Sequence, residues 1–119
     1  MANILIVDNA SFMRSSLKVV CEKAGHKVVG MAANGEEAVR LYREFRPDVV
    51  TMDILMEEMD GIQALDVIKR FDPNAKVIMI SAVGLEAKLE EAKMLGAAGY
   101  IKKPFKAAEI VREIEKVMG

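Results

Sequence analysis

The sequence predicts a three-layer α/β domain, a doubly wound (βα)5 fold built on a five-stranded parallel sheet. Three observations carry this. Five short, mostly β-branched apolar runs alternate with five segments of helical period, so each helix follows a strand. The runs are mostly apolar on both faces, as strands covered by helices on both sides are. Turn residues fall in the gaps between these segments and leave no linker, low-complexity tract or second domain, so residues 1–119 read as one domain.

In order, the first strand spans 4–7 ("ILIV"), and Met13, Leu17, Val20, Cys21 and Ala24 then recur at i, i+3, i+4 spacings that define a helix ending near Gly25. A second strand over 27–31 reaches Asn34-Gly35, followed by a helix marked by Ala38, Leu41, Tyr42 and Phe45 and stopped at Pro47. The third strand is 49–52. Beyond Asp60-Gly61 lies the helix of Ile62, Leu65, Ile68 and Phe71, closed by Pro73-Asn74. Strand 77–80 precedes the helix of Leu85, Leu89, Ala92 and Leu95; after Gly96, strand 99–101 precedes the helix of Ile110, Val111, Ile114, Val117 and Met118. Parallel strands joined by helices require right-handed crossovers.

Composition limits the setting. Hydrophobic residues make up 52% of 119, enough for a real core. Seventeen basic against eighteen acidic residues leave a formal charge of -1, which advertises neither nucleic acid nor membrane as a partner. The single cysteine, Cys21, lies on an apolar helix face and reads as a buried hydrophobe in a reducing compartment. There is no basic leader and no apolar stretch near the roughly 18 residues of a spanning helix, so the expectation is a cytoplasmic protein without membrane insertion.

In open α/β sheets ligands bind outside the carboxyl ends of the strands, where strand order reverses. At those ends the sequence places Asp8-Asn9, Asp53, Ser81 and Lys102-Lys103-Pro104. Two carboxylates and an amide brought together call for a cation, and an all-oxygen set suits Mg²⁺. Each residue also has an ordinary reading: Asp8 or Asn9 caps the first helix, Ser81 caps a turn, Lys103 is a solvated lysine. For Asp60-Gly61 the ordinary reading, turn chemistry at a helix start, is retained. Met52, Met56, Met59 and Met79 read as flexible core filler.

The segments "LIVDNASFMR", "VVTMDILMEEMDG", "VIMISAVG" and "GAAGYIKKPF" together resemble the receiver domain of two-component response regulators, most closely the stand-alone chemotaxis type (CheY-like). The resemblance covers the whole chain and implies strand order 2-1-3-4-5. It implies that Asp53 is the phosphoacceptor, that Asp8, Asn9, Asp53 and the backbone carbonyl of Leu55 hold Mg²⁺, and that Ser81 and Lys103 bind phosphoryl oxygens. Lys103-Pro104 resembles the family's cis peptide. Ser81 and Tyr100 match the switch pair, acting on the face of the fourth helix, fifth strand and fifth helix, where Lys88, Glu91, Lys102 and Lys106 are placed to meet a partner. Leu55 and Val83 match positions that govern access of the attacking water, and both are apolar.

Two residues depart from the family pattern. Asn9 stands where a second acid is usual, and Glu57 where proline is usual. The resemblance implies a phosphorylation-dependent switch, a monomer that is not a conventional enzyme, fed by a histidine kinase and read by a downstream protein with no direct nucleic-acid contact. With no effector domain after Gly119, and with Ser11-Phe12-Met13-Arg14 resembling that subgroup, chemotaxis or motility is the expected pathway. The alternatives are a phosphorelay intermediate and a receiver-like binding module that is not phosphorylated. A flavin-binding flavodoxin-like protein shares the fold, but Asp8 would repel the flavin phosphate.

Overall fold

The computed structural model describes all 119 residues and shows five strands and five helices in strict alternation. These are β1 (Asn3–Val7), α1 (Ser11–Lys23), β2 (Lys27–Ala32), α2 (Gly35–Phe45), β3 (Val49–Asp53), α3 (Gly61–Phe71), β4 (Val77–Ser81), α4 (Glu86–Met94), β5 (Gly99–Lys102) and α5 (Ala107–Met118). The sheet is wholly parallel in the order β2-β1-β3-β4-β5. β2, β3, β4 and β5 each run one residue past the expected end; β2 ends on Ala32, and in the other three, pairings such as Asp53 with Ile80 and Ser81 with Lys102 continue the ladder into polar residues. Asp53 and Ser81 are therefore built into the sheet.

Side-chain alternation along the strands sorts the core into two layers. Leu5, Val7, Val50, Met52, Val77 and Met79 face α2, α3 and α4 with Tyr42, Leu65, Ile68 and Leu89. Ile4, Ile6, Val49, Ile78 and Ile80 face α1 and α5 with Leu17, Cys21, Ile110 and Ile114. Met52 and Met79 are fully buried and Met56 and Met59 pack against the first layer, as filler should. Burial pushes the Cys21 thiol up to about 11, which removes it as a nucleophile.

Doubly covered strands are found only at the centre of the sheet. β2 and β5 are edges, with half-open and alternating burial respectively. Two expected core aromatics also differ: Phe45 and Phe71 are half-exposed. The Phe71 ring sits under the guanidinium groups of Arg43 and Arg46, 5.2 and 4.5 Å from its centroid, so arginine stems replace a packed neighbour. Ala24, expected on the buried stripe of α1, is its exposed C-cap.

α3 begins where its sequence signals place it. Asp60 accepts from the Gln63 N–H and Gln63 Oε1 accepts from the Asp60 N–H, both at 2.9 Å, forming a capping box. The Gly61 N–H donates to the Ile54 carbonyl at 2.8 Å, and a Cβ on Gly61 would collide with the Asp53 carbonyl oxygen. Only glycine lets the helix abut the strand that carries Asp53.

Candidate functional site

β1 lies between β2 and β3, and the chain leaves β1 toward α1 on one face and β3 toward α3 on the other. A crevice at the carboxyl ends of these strands follows from that reversal. Asp8 lies there. Its N–H donates to the Ala32 carbonyl at 3.1 Å, its Oδ1 accepts from the Ala10 N–H at 2.9 Å, and Arg14 Nη1 donates to its carbonyl at 2.6 Å. The residue is wholly buried, and its Oδ2 has no hydrogen-bond partner.

Asp53 ends β3 at 6% exposure. Lys103 reaches it from beyond β5: its N–H donates to the Ser81 carbonyl at 2.7 Å, and its peptide bond to Pro104 is cis. Its Nζ stands 3.7 Å from Asp8 Oδ2 and 3.6 Å from Asp53 Oδ1. Three residues far apart in sequence thus share one contact point. These distances make ion pairs rather than tight hydrogen bonds, so the Asp8 oxygen stays unsatisfied.

Burial, and then the charge of Asp8, raise the Asp53 carboxyl above the usual carboxylate range; Lys103 opposes them without cancelling them. Two carboxylates against one ammonium leave an excess of negative charge held in low dielectric. No group of three or more His, Cys, Asp or Glu side chains converges anywhere in the chain. Two carboxylates with an unsatisfied oxygen, next to the amide of Asn9, fit a hard divalent ion that keeps several waters, and do not fit a closed protein cage.

The Ser81 hydroxyl, 2% exposed, donates to the Ala82 carbonyl at 3.2 Å and makes no hydrogen bond to either carboxylate. Neither Asp8 nor Asn9 caps α1, whose N-cap Ala10 has no side-chain acceptor. Asn9 is exposed and lines a small cavity with Ala33, Asn34, Glu57 and Glu58. Leu55 and Val83 stand at the rim, 52% and 86% exposed. Tyr100 is 45% exposed on β5: its ring lies under Lys93 Nζ at 4.4 Å, and its N–H donates to Glu113 Oε2 at 3.3 Å. Of the four charged or acidic-facing residues expected on that surface, Lys88 is engaged elsewhere, 3.8 Å from Asp60.

Sequence reasoning missed Arg14 and Lys93. Arg14 had a signal: a cation near a helix start opposes the macrodipole unless it has another use, and here it fastens the Asp8 loop. Lys93 had none, because its target lies on another element.

Residues 4–115 match the response regulator receiver domain family. The chain belongs to that family. The receiver is 51% identical over 114 residues to the chemotaxis protein CheY of Thermotoga maritima, covering 96% of this chain and 95% of that protein. With the Bacillus subtilis CheY it shares 48% over 115 residues, 97% and 96% of the two chains. Among solved structures it resembles the CheX-CheY-BeF3-Mg²⁺ complex of Borrelia burgdorferi with a TM-score of 0.93 and 39% identity, covering 98% of this chain and 89% of that one. The fold expected from the resemblance, strand order included, is the one observed. The receiver is accordingly a signalling domain with chemotaxis homologues. None of its helices is long and apolar enough to cross a membrane.

Proposed function

We propose that this receiver is a monomeric, cytoplasmic phosphorylation switch of chemotaxis or motility, fed by a histidine kinase and read by a downstream protein. The observation that carries the reading is the junction of Asp8, Asp53 and Lys103: two buried carboxylates, one with an unsatisfied oxygen, across a single ammonium. Asp53 is the nucleophile. One of its oxygens attacks the phosphorus of a phosphohistidine, the P–N bond breaks, and the released imidazole keeps the electron pair and takes up a proton. Asp8, Asn9, Asp53 and the Leu55 carbonyl would hold Mg²⁺, which when bound supplies charge neutralisation for the transferring group.

The chain's own groups do the positioning. Lys103 swings little to meet phosphoryl oxygens, since its Nζ is already 3.6 Å from Asp53. Arg14 and the Ala10 N–H keep Asp8 from rotating away. The Ser81 hydroxyl gives up the Ala82 carbonyl for a phosphoryl oxygen, and the space it leaves admits the Tyr100 ring. Moving inward takes that ring from beneath Lys93 and changes the face of α4, β5 and α5, where Glu91, Lys102 and Lys106 are exposed.

The test is incubation with acetyl phosphate and Mg²⁺ followed by intact-mass measurement. Wild type gains one phosphoryl group and Asp53→Ala gains none. A wild type that never gains the mass, even with excess metal and a cognate kinase, is a binding module working without phosphorylation.

A further inference from the structure

The cavity beside the site has a chemistry of its own. It measures about 230 Å³ and is walled by Asn9, Ala33 and Asn34 on one side and by Glu57 and Glu58, from the segment between β3 and α3, on the other. A water molecule occupies about 30 Å³ of liquid. The space therefore has room for about seven ordered waters, and all of its lining residues but Ala33 carry polar side chains for them to bond.

Neither glutamate forms an ion pair with any cation of the chain. Glu58 is held in the left-handed region at φ 63, where glycine or asparagine would relax the backbone. Next in sequence to Asn9 is Asp8, wholly buried and with an unpartnered Oδ2. Position 9 itself contributes an uncharged amide. Position 9 thus adds no charge to the two buried carboxylates, while the neighbouring loop that shares its cavity carries two unpaired ones.

We propose that Glu57 and Glu58 form the outer acidic wall of the divalent-cation site, accepting hydrogen bonds from the ion's water shell across this cavity and supplying the charge that Asn9 does not. The inference rests on the cation site of the proposed function and adds two residues to it that act through water, without direct ligation. The arrangement favours an ion that retains its waters, as Mg²⁺ does. Because the glutamates are exposed, their contribution is screened by salt in a way that an inner ligand's is not.

The experiment is Mg²⁺ titration of the unphosphorylated protein at low ionic strength, followed by calorimetry or amide NMR. Glu57→Gln and Glu58→Gln are each expected to weaken Mg²⁺ binding by about two- to fivefold, the effect shrinking as NaCl is raised towards 0.5 M, roughly the range over which exposed charges decouple. Glu44→Gln, on the last turns of α2 at the other end of the sheet, should leave the affinity unchanged. Asn9→Asp in the double glutamine background should restore it to the wild-type value or better. Glu58→Gly separates binding from folding: it relaxes the left-handed backbone, so thermal stability holds or rises while Mg²⁺ affinity falls. If wild type binds Mg²⁺ and the glutamine variants bind it equally well, the acidic wall is refuted while the proposed function stands. If wild type does not bind Mg²⁺ at all, both fail.

Discussion

Substituting Asp53→Asn should stabilise the metal-free protein, and the structure gives the size of the effect. Both carboxylates lie within 3.7 Å of Lys103 Nζ, so their nearest oxygens are at most about 7 Å apart. At an effective dielectric near 20 their repulsion is about 2 kcal/mol, and the attraction of Lys103 for Asp53 is roughly twice that. Coulomb terms alone would favour the ionised form. Burial reverses the balance: withdrawing a carboxylate from water costs several kcal/mol, and Asp53, at 6% exposure, has its carboxyl held above the usual range. Removing the charge should therefore raise stability by about 1–2 kcal/mol, a typical yield of relieving a strained functional site. For a chain of this size that is a rise in Tm of about 4–8 °C.

The pH dependence has a definite sign. A carboxyl whose pKa is raised on folding binds its proton more tightly in the native state, so wild type gains stability as pH falls through the raised folded value towards the unfolded one. Asp53→Asn lacks this gain. The difference between the two proteins, measured by urea or thermal unfolding in EDTA, is thus greatest at neutral pH and closes below about pH 4, near the ordinary aspartate value. An Asn variant less stable than wild type at pH 7, or a difference that widens on acidification, would refute the electrostatic account of the site.

Two further outcomes concern the acyl phosphate and the switch. Leu55 and Val83 present apolar surface at the rim, so Leu55→Asn/Val83→Glu, which can orient an attacking water, should lose the phosphoryl group several-fold faster after donor removal; slower decay in the polar variant would overturn this. Lys93 lies over the outward ring of Tyr100, so Lys93→Ala should shift the Tyr100 ring resonances, without phosphorylation, towards those of the beryllofluoride-treated wild type, and unchanged spectra would show that Lys93 does not hold the ring.

The class of fold, the five strands and five helices, and the polar residues at the strand ends were legible in the sequence because they rest on local periodicity and on punctuation such as Asp60-Gly61 and Pro47. Asp8, Asp53, Ser81 and Lys103 could be picked out as strand-end residues for the same reason. Periodicity says nothing about which strands are edges, so the exposure of β2 and β5, and of Phe45 and Phe71, came only with the packed sheet. Nor does it give distances. That Lys103 reaches both carboxylates, that Asp8 Oδ2 is left unsatisfied, that Arg14 pins the Asp8 carbonyl, and that Asn9 shares a cavity with Glu57 and Glu58 all depend on where the crossovers bring separate loops together. The sequence determined which side chains stand at the carboxyl ends, because strand and helix signals act over a few residues; tertiary packing alone decided their separations, burial and charge balance, because these are set between segments up to a hundred residues apart.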